Sequence, residues 1–267
     1  MKEQLWENIL SVRNNSPLVH NITNYVVMNN TANALLAVGA SPVMAHAHSE
    51  VRNMVAIAGA LVVNIGTLDE YWVESMLGAI EEAKTLGKPW VLDPVGAGAT
   101  TYRNEVLAKI ISLKPAVIRG NASEIMALAN HSLVETKGVD STHQSTEALA
   151  AAEALTQQLG SIICVSGATD IIINQQRKVF LHNGNPLMGK VTGLGCTASA
   201  LIGAFTAIEG NDYFDGTIAA MALLSVAGEI AAQHSAGPGS LQLNILDKLY
   251  NITAEDFFSL LKLEVKS

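Results

Sequence analysis

Charged side chains are scarce in this sequence, and most of those present are acidic. Asp, Glu, Lys and Arg make up 15% of the 267 residues, and the formal net charge at pH 7 is −8. An acidic surface repels phosphate backbones and anionic headgroups. We therefore expect neither nucleic acid nor a membrane as a partner. A small nucleotide is still allowed, because a few backbone amides and one or two cations can bind it locally.

Cysteine and long apolar runs are scarce as well. The two cysteines, Cys164 and Cys196, provide no disulfide framework. The longest apolar stretches, 54–63 and 218–233, are shorter than the ~20 residues of a membrane span. The first 15 residues lack the basic start and apolar core of a signal peptide. These absences predict a cytoplasmic protein.

What the sequence does contain is a regular alternation of short β-branched segments with segments of helical spacing. The predicted strands cover residues 18–20, 41–45, 61–65, 90–93, 116–119 and 161–165, and the predicted helices 31–38, 71–86, 105–112 and 123–130. Strands that are apolar on both faces and separated by helices indicate a parallel sheet with helices on both sides. Because no linker or repeat interrupts the pattern, we expect residues 1–267 to form a single three-layer α/β domain.

The pattern changes after residue 166. Residues 170–174 and 178–182 are two strand segments around a polar turn, which predicts a hairpin at the edge of the sheet. The remaining chain has helical spacing at 196–209, 215–234, 241–250 and 254–263. A polar stretch, 136–145, is predicted to be a surface loop before a helix at 146–159.

Polar and glycine residues follow almost every predicted strand. In open parallel sheets, ligands bind beyond the carboxyl ends of the strands. Asp93 and Glu124 are the acids best placed there to hold Mg²⁺, and Arg119 is a cation able to pair with a phosphate. Each also has an ordinary structural explanation, as a turn acid, a first-turn helix acid and a surface ion pair. Their joint presence favours a site.

The segment 191–197, VTGLGCT, is the most specific motif. Its glycines allow successive backbone amides to form an anion-binding nest, and the following helix adds its unpaired N–H groups. Cys196 lies at the same point and can act on a proton. The alternative is a glycine turn that packs a helix closely against the sheet, with Cys196 as a small buried hydrophobe.

Two motifs that resemble nucleotide-binding signatures are rejected. Residues 184–190 have Walker A spacing, but Val191 stands where Ser or Thr must hold Mg²⁺. The 193–198 segment satisfies a loose dinucleotide fingerprint, yet only helices follow it and a βαβ unit is required. Neither a P-loop enzyme nor a Rossmann dehydrogenase is expected.

Seven blocks together resemble the hydroxyethylthiazole kinase family of the ribokinase-like superfamily. They are 16–24 (SPLVHNITN), 37–44 (AVGASPVM), 64–67 (NIGT), 92–98 (LDPVGAG), 118–124 (IRGNASE), 191–196 (VTGLGC) and 237–240 (GPGS). The resemblance covers essentially the whole chain. It implies a ribokinase-like fold and phosphorylation of 4-methyl-5-(2-hydroxyethyl)thiazole by Mg²⁺ and ATP in thiamine salvage. It also implies a homotrimer with active sites between subunits.

The resemblance assigns roles by matching position. The residues expected to line the thiazole pocket are Asn24, Met44, Gly66, Thr67 and Gly193; those expected at ATP are Arg119, Ser166, Asn121 and Gly195; and those expected near Mg²⁺ are Asp93 and Glu124. Cys196 stands where the wider superfamily usually has Asp as the base. We expect it to orient the hydroxyl and deprotonate it late, with a thiol pKa lowered by the helix N-terminus.

Three alternatives remain open from the sequence. One is a ribokinase-like kinase for hydroxymethylpyrimidine or pyridoxal. Another is a hydrolase or acyltransferase with Cys196 as the nucleophile, which needs a nearby His such as His182 or His234. The third is a protein that binds the thiazole without catalysis.

Overall fold

The computed structural model describes residues 1–132 and 144–266. The described residues contain one nine-stranded sheet with the strand order β2-β1-β3-β4-β5-β6-β7-β8-β9. The strands are β1 Leu18–Ile22, β2 Ser41–Val43, β3 Ala60–Asn64, β4 Trp90–Asp93, β5 Val117–Asn121, β6 Ile162–Ser166, β7 Asp170–Ile173, β8 Lys178–Leu181 and β9 Leu263–Lys266.

The sheet has a parallel part and an antiparallel part. Neighbouring strands from β2 through β6 are all parallel, and β6 to β9 pair antiparallel. The inner parallel strands are largely buried on both faces and rich in Val, Ile and Leu; β3 and β4 are buried throughout, whereas the edge strand β2 is only partly buried. Val62 packs into one hydrophobic cluster, and its neighbours Leu61 and Val63 pack into the other. The predicted parallel sheet and edge hairpin are confirmed.

Helices cover both faces, which gives the predicted three layers. The first layer consists of α1 Lys2–Asn15, α2 Met28–Ala37, α8 Leu194–Thr206, α9 Tyr213–Gln233, α10 Pro238–Asn251 and α11 Ala254–Leu260. The second layer consists of α3 Val51–Ile57, α4 Glu70–Thr85, α5 Thr101–Ile111, α6 Ala122–Ser132 and α7 Gln144–Leu159. A short 3-10 helix, Pro186–Lys190, precedes α8.

Helix α9 is long and apolar enough to cross a membrane, the only such helix in the described chain. Most of it is buried inside the domain, where Ile218, Leu223 and Val226 have no exposed surface. A helix that is apolar on all sides is typical of the centre of a helical layer. The prediction that this stretch is a core element is confirmed.

Four details differ from the sequence prediction. The last predicted helix, 254–263, is wrong at its end, because the chain leaves the helix after Leu260 and Leu263–Lys266 pairs with β8. The predicted strand 41–45 ends at Val43, and α3 was not predicted. The predicted loop 136–145 lies outside the described residues up to 143, and α7 begins at Gln144.

Candidate active site

The site lies where the carboxyl ends of five parallel strands meet the start of α8. Alternation along the strands explains its composition, because every second residue faces the same side. Val62, Val91 and Val117 pack toward the layer that contains α8. Two positions further on, Asn64, Asp93 and Arg119 therefore face the same side. The last residue of β3 also pairs directly with the last residue of β4.

Four residues, Asn24, Asn64, Gly66 and Cys196, form what we term the amide cluster. The Asn24 Nδ2 donates to Asn64 Oδ1 at 2.9 Å and to Cys196 Sγ at 3.4 Å. The Asn64 Oδ1 also accepts the backbone N–H of Gly66 at 2.9 Å. The structure thus brings together three residues predicted for one site, Asn24, Gly66 and Cys196. Asn64 links them.

The turn at Gly66 is packed directly against the Asn24 side chain. A Cβ atom at position 66 would lie 2.6 Å from Asn24 Nδ2, which is too close for any side chain. Arg103 holds the other side of this turn, since its guanidinium donates to the carbonyl oxygens of Ile65, Gly66 and Val95. Arg103 was not predicted, because nothing in the sequence distinguishes it from a surface cation of α5.

Asp93 is a fully buried carboxylate beside the amide cluster. Its Oδ2 accepts from Asn64 Nδ2 at 2.7 Å, and its Oδ1 lies 3.8 Å from Arg119 Nη1. Burial raises the pKa of Asp93 to about 6, although Arg119 opposes the shift, and the negative charge of Glu124 adds to it. Oδ1 has no hydrogen-bond partner within 3.5 Å among the described residues, although the nearby Ser199 hydroxyl acts to lower the pKa of Asp93. A buried oxygen of this kind is available to a further ligand.

Cys196 lies in the first turn of α8, after the N-cap residue Gly193 with its left-handed φ of 82°. Burial raises the pKa of the Cys196 thiol to about 11, and the negative charge of Asp93 adds to the effect. The expectation that the helix N-terminus lowers this pKa was therefore wrong. Desolvation and a nearby carboxylate outweigh the helix dipole and the amide donors. At neutral pH Cys196 is a thiol.

Gly195, in the same turn, leaves space for the Arg119 guanidinium. A Cβ atom at position 195 would lie 2.5 Å from Arg119 Nη1, so any side chain there displaces the arginine. Arg119 in turn donates a hydrogen bond to Ser166 Oγ. These three residues were predicted at one site, and the structure places them together.

A cleft of about 480 Å³ opens beside Arg119, Ser166 and Gly195. The apolar residues on its wall include Leu194, Ala198, Met221, Leu224 and Met188. Asp170 also lines the cleft, and its carboxylate accepts from the Gly167 N–H and the Ser225 hydroxyl. The cleft thus combines a cationic, glycine-lined part with an apolar part.

Glu124 and Asn121 stabilise the start of α6. The Asn121 Oδ1 accepts the Glu124 N–H, and Glu124 Oε2 accepts the Asn121 N–H, both at 2.9 Å. This reciprocal pair is a capping box. The Glu124 Oε1 also accepts the Gly96 N–H at 3.0 Å, which attaches the loop after β4 to α6.

Mg²⁺ usually binds through one or two carboxylates, substrate phosphates and water. Within the described residues no group of three His, Cys, Asp or Glu residues is arranged to hold a metal ion. Asp93 and Glu124 nevertheless fit the two-carboxylate pattern. The unpartnered oxygen of Asp93 is available, and the charge of Glu124 is close enough to affect Asp93.

Met44 and Thr67 lie at the margin of this edge. Thr67 follows Gly66 and is partly exposed, and Met44 follows the outermost strand, β2, on a partly exposed loop. The buried His20 holds that loop, since its Nε2 lies 2.7 Å from the carbonyl oxygen of Ala45. Neither Met44 nor Thr67 contributes to the amide cluster.

The family model described as "Hydroxyethylthiazole kinase family" matches residues 9–255. The chain belongs to the hydroxyethylthiazole kinase family. It is 54% identical to the hydroxyethylthiazole kinase of Syntrophus aciditrophicus over 255 residues, which are 95% of this chain and 94% of that protein. The sequence-based assignment to this family is confirmed.

Solved structures give the same result. The hydroxyethylthiazole kinase protein of Pyrococcus horikoshii OT3 superposes with a TM-score of 0.92 at 41% identity, over 99% of this chain and 100% of that one. The Staphylococcus aureus pyridoxal kinase in complex with pyridoxal has a TM-score of 0.65 at 15% identity, over 93% and 97%. That second likeness concerns the fold alone. The predicted ribokinase-like fold is confirmed.

Sequence reasoning missed the residues that connect the site. Asn64 was part of a recognised block but was given no role, and Arg103 and Asp170 were not singled out. Each forms a hydrogen bond to a residue that is distant in sequence: Asn64 to Asp93, Arg103 to Gly66 and Asp170 to Ser225. Pairing of the last residues of β3 and β4 was the signal that could have identified Asn64.

Proposed function

We propose that this protein transfers the γ-phosphoryl group of ATP to the hydroxyl of 4-methyl-5-(2-hydroxyethyl)thiazole, as the name of its family suggests. One observation carries the proposal: the amide cluster and the open cleft meet at the first turn of α8. Cys196 lies on the cluster side of that turn, and Gly195 on the cleft side. An alcohol at the cluster and a nucleotide in the cleft would therefore face each other across this turn.

The cleft is the proposed ATP site. Arg119 would pair with phosphate oxygens, with the Ser166 hydroxyl and the Gly195 backbone beside it and Asn121 nearby at the start of α6. The N–H groups at the start of a helix favour bound anions. The apolar wall, including Met188 and Met221, suits the flat adenine ring of the nucleotide.

The amide cluster is the proposed alcohol site. Asn24, Gly66, Thr67 and Gly193 would surround the thiazole. Cys196, a thiol at neutral pH, would hold the hydroxyl in line with the phosphoryl group by a hydrogen bond, and its small thiolate fraction would take the hydroxyl proton late. A loose phosphoryl-transfer transition state needs little help from a base, so positioning and charge stabilisation account for most of the rate.

Asp93 and Glu124 are the proposed Mg²⁺ residues. When bound, Mg²⁺ would supply positive charge against the phosphates. Asp93 is the residue best suited to this role, because its Oδ1 is buried without a hydrogen-bond partner among the described residues. Arg119, 3.8 Å away, keeps the carboxylate partly ionised despite its burial.

The proposed assembly is a homotrimer in which Met44 completes the thiazole pocket of a neighbouring subunit. The position of Met44 on a partly exposed loop after β2, together with the exposed Tyr25 and Val26 side chains after the neighbouring strand β1, supports this. Light scattering at assay concentration should give three times the 28.2 kDa chain mass. An active monomer would contradict the shared pocket. The two free thiols suit a reducing compartment, and the proposed location is the cytoplasm.

The test of the activity is a coupled ADP-release assay with Mg²⁺, ATP and a panel of alcohols. We expect turnover of the thiazole alcohol well above that of pyridoxal and hydroxymethylpyrimidine. Faster turnover of either rival would retain a kinase and reject this substrate. Thiazole binding without ADP release would indicate a binding protein. A thioester trapped on Cys196 without nucleotide would indicate a hydrolase.

A further inference from the structure

The Asn64 side chain uses both ends of its amide within the site. It is 1% exposed, and it accepts two hydrogen bonds at Oδ1, from Asn24 and from the Gly66 N–H. Its Nδ2 donates to Asp93 Oδ2 at 2.7 Å. Asn64 therefore joins the alcohol side of the site to the carboxylate side.

The direction of these hydrogen bonds follows from backbone groups that can only donate. The Gly66 N–H requires an acceptor, so Asn64 must present its oxygen to Gly66 and its nitrogen to Asp93. Asn24 must then present Nδ2 to Asn64, and its own Oδ1 accepts the Val26 N–H at 3.2 Å. The second hydrogen of Asn24 Nδ2 reaches Cys196 Sγ. The sulfur is thus an acceptor here, and its own hydrogen is free to point toward the substrate.

We propose that Asn64 is a positioning residue for phosphoryl transfer, which orients the Asn24 amide against Cys196 and holds the Asp93 carboxylate in place with the same side chain. The inference rests on the proposed function for its kinetic readouts. Asn64 acts through three neighbours, Asn24, Gly66 and Asp93, which its amide engages in fixed directions. It also lies close to the Cys196 thiol and opposes the rise in the pKa of that group.

Two variants separate the two ends of the amide. Asn64→Asp retains the oxygen that accepts from Asn24 and Gly66 but replaces the donor to Asp93 with a second carboxylate oxygen. Asn64→Ala removes both ends. Ser161→Ala is the matched control, since it removes a fully buried side-chain hydrogen bond, to the Pro115 carbonyl at 2.6 Å, at the opposite end of β6.

Three measurements are made on the full chain. Calorimetry gives the Kd of the thiazole alcohol without ATP, steady-state kinetics give kcat and KM, and crystal structures give the position of the Asn24 amide. An unsatisfied or misdirected buried polar group typically changes an equilibrium or rate by about 10- to 100-fold. We expect Asn64→Asp to keep Kd within about threefold and the Asn24 amide in place, but to lower kcat at least about 30-fold.

For Asn64→Ala we expect a displaced Asn24 amide, a Kd at least about tenfold weaker and a kcat at least about 100-fold lower. Ser161→Ala should lower the melting temperature and leave Kd and kcat within about twofold. If Asn64→Ala does not fold, Asn64→Ser takes its place with the same readouts.

Unchanged Kd and kcat in folded Asn64 variants would overturn the proposal. A merely structural role predicts the same result as Ser161→Ala, which is a lower melting temperature with Kd and kcat unchanged. Equal effects of the two Asn64 variants on Kd, with the Asn24 amide unmoved, would overturn it too. If wild type does not phosphorylate the thiazole alcohol, the proposed function fails. The position of the Asn24 amide in the variant crystal structures still decides the inference about Asn64.

Discussion

The two halves of the site are constructed differently. The amide cluster is held by direct hydrogen bonds between segments distant in sequence, with 2.9 Å between Asn24 and Asn64, and Asn64 also lies 2.7 Å from Asp93 beside the cluster. The cleft is an open space of about 480 Å³ around one arginine and a largely apolar wall. In the cluster the protein satisfies its own polar groups. In the cleft the protein leaves space for a ligand to form hydrogen bonds with its polar groups.

This difference indicates how each half should respond to substitution. Within the cluster, a change at one side chain alters the orientation of the next, so the effects should appear in kcat. In the cleft, a change that removes one ligand contact should appear in the KM for ATP. Arg119 lies at the boundary, because it contacts Ser166 in the cleft and is close to Asp93 beside the cluster.

The largest effect is expected at that boundary, from Gly195→Val. The added side chain overlaps Arg119, because even a Cβ would lie 2.5 Å from Nη1. It also blocks the approach of phosphate to the backbone of this turn. We expect ATP-dependent turnover to fall by at least about 10³-fold, about 4 kcal/mol, in a protein that stays folded by circular dichroism.

The control for this variant is Gly239→Ala, in α10, where an added Cβ meets no atom within 4 Å. It should retain wild-type turnover. Near-normal activity of folded Gly195→Val would reject the anion site at this turn, and with it the boundary role of Arg119.

The next largest effect is on the pH dependence of the free energy of unfolding and arises from Asp93. Its pKa of about 6 in the folded protein lies above the ordinary aspartate value of 3.8, so the folded state favours the protonated acid. The stability contributed by this group is present below about pH 4 and is lost as the pH rises through 6. Since one pKa unit is worth about 1.4 kcal/mol, the loss is about 3 kcal/mol.

Urea unfolding at pH 4 and pH 7, without Mg²⁺, measures this loss. Between these pH values the unfolding free energy of wild type should fall by about 2.5 kcal/mol more than that of Asp93→Asn, because the unfolded carboxyl is already partly ionised at pH 4. Other carboxylates titrate in both proteins and cancel in the comparison. Equal falls in the two proteins would show that burial does not raise the Asp93 pKa.

A somewhat smaller effect is expected in the cluster from Cys196→Ala. General-base assistance is worth about 10²–10⁴-fold, and a thiol with a pKa of about 11 is almost entirely protonated at neutral pH, so little of it is available as a base. We therefore expect a loss near the low end, about 10²-fold, with measurable activity remaining. Cys196→Asp should stay within about tenfold of wild type or exceed it, because a carboxyl, with an ordinary pKa of about 4, remains far more ionised at neutral pH than a thiol with a pKa of about 11, even in this desolvated site.

Kinetic assays of both Cys196 variants separate two mechanisms. If Cys196 were a covalent nucleophile, neither variant would turn over, although both would remain folded. Retained activity in Cys196→Asp is incompatible with a nucleophilic sulfur.

The smallest effect is expected in the cleft, from Ser166→Ala. This change removes one hydroxyl that contacts Arg119 and leaves the arginine in place. We expect the KM for ATP to rise about tenfold, as for the loss of one charge-assisted hydrogen bond, with the KM for the thiazole alcohol unchanged. A rise in both KM values would show that the two halves of the site are not separable.

The parallel sheet could be predicted because its signals are local. Short apolar runs followed by glycine or polar residues marked β1, β3, β4, β5 and β6 within one or two residues. β9 could not be predicted in this way. Its residues, Leu263–Lys266, are largely exposed, and pairing with a strand about 80 residues earlier makes them a strand. The spacing of apolar residues within a short segment carries no information about a pairing strand so far away in the sequence.

The members of the site were predictable, but their electrostatics were not. Motif position identified Cys196, Asp93 and Arg119, and the structure brings these residues together. The direction of the thiol pKa depends on how much water the fold removes from Cys196 and on its separation from Asp93. Both quantities follow from tertiary packing, whereas the sequence shows only the helix start.

The two edges of the sheet have a consequence for how copies of this chain can associate. One edge, β2, is three residues long and contains Pro42, which has no N–H to donate. The other, β9, exposes the charged side chains of Glu264 and Lys266. Short, proline-containing or charged edges are poor templates for the addition of another strand, and this protects the sheet against aggregation. Subunits of the proposed trimer would therefore associate through side-chain packing, and not by extension of the sheet.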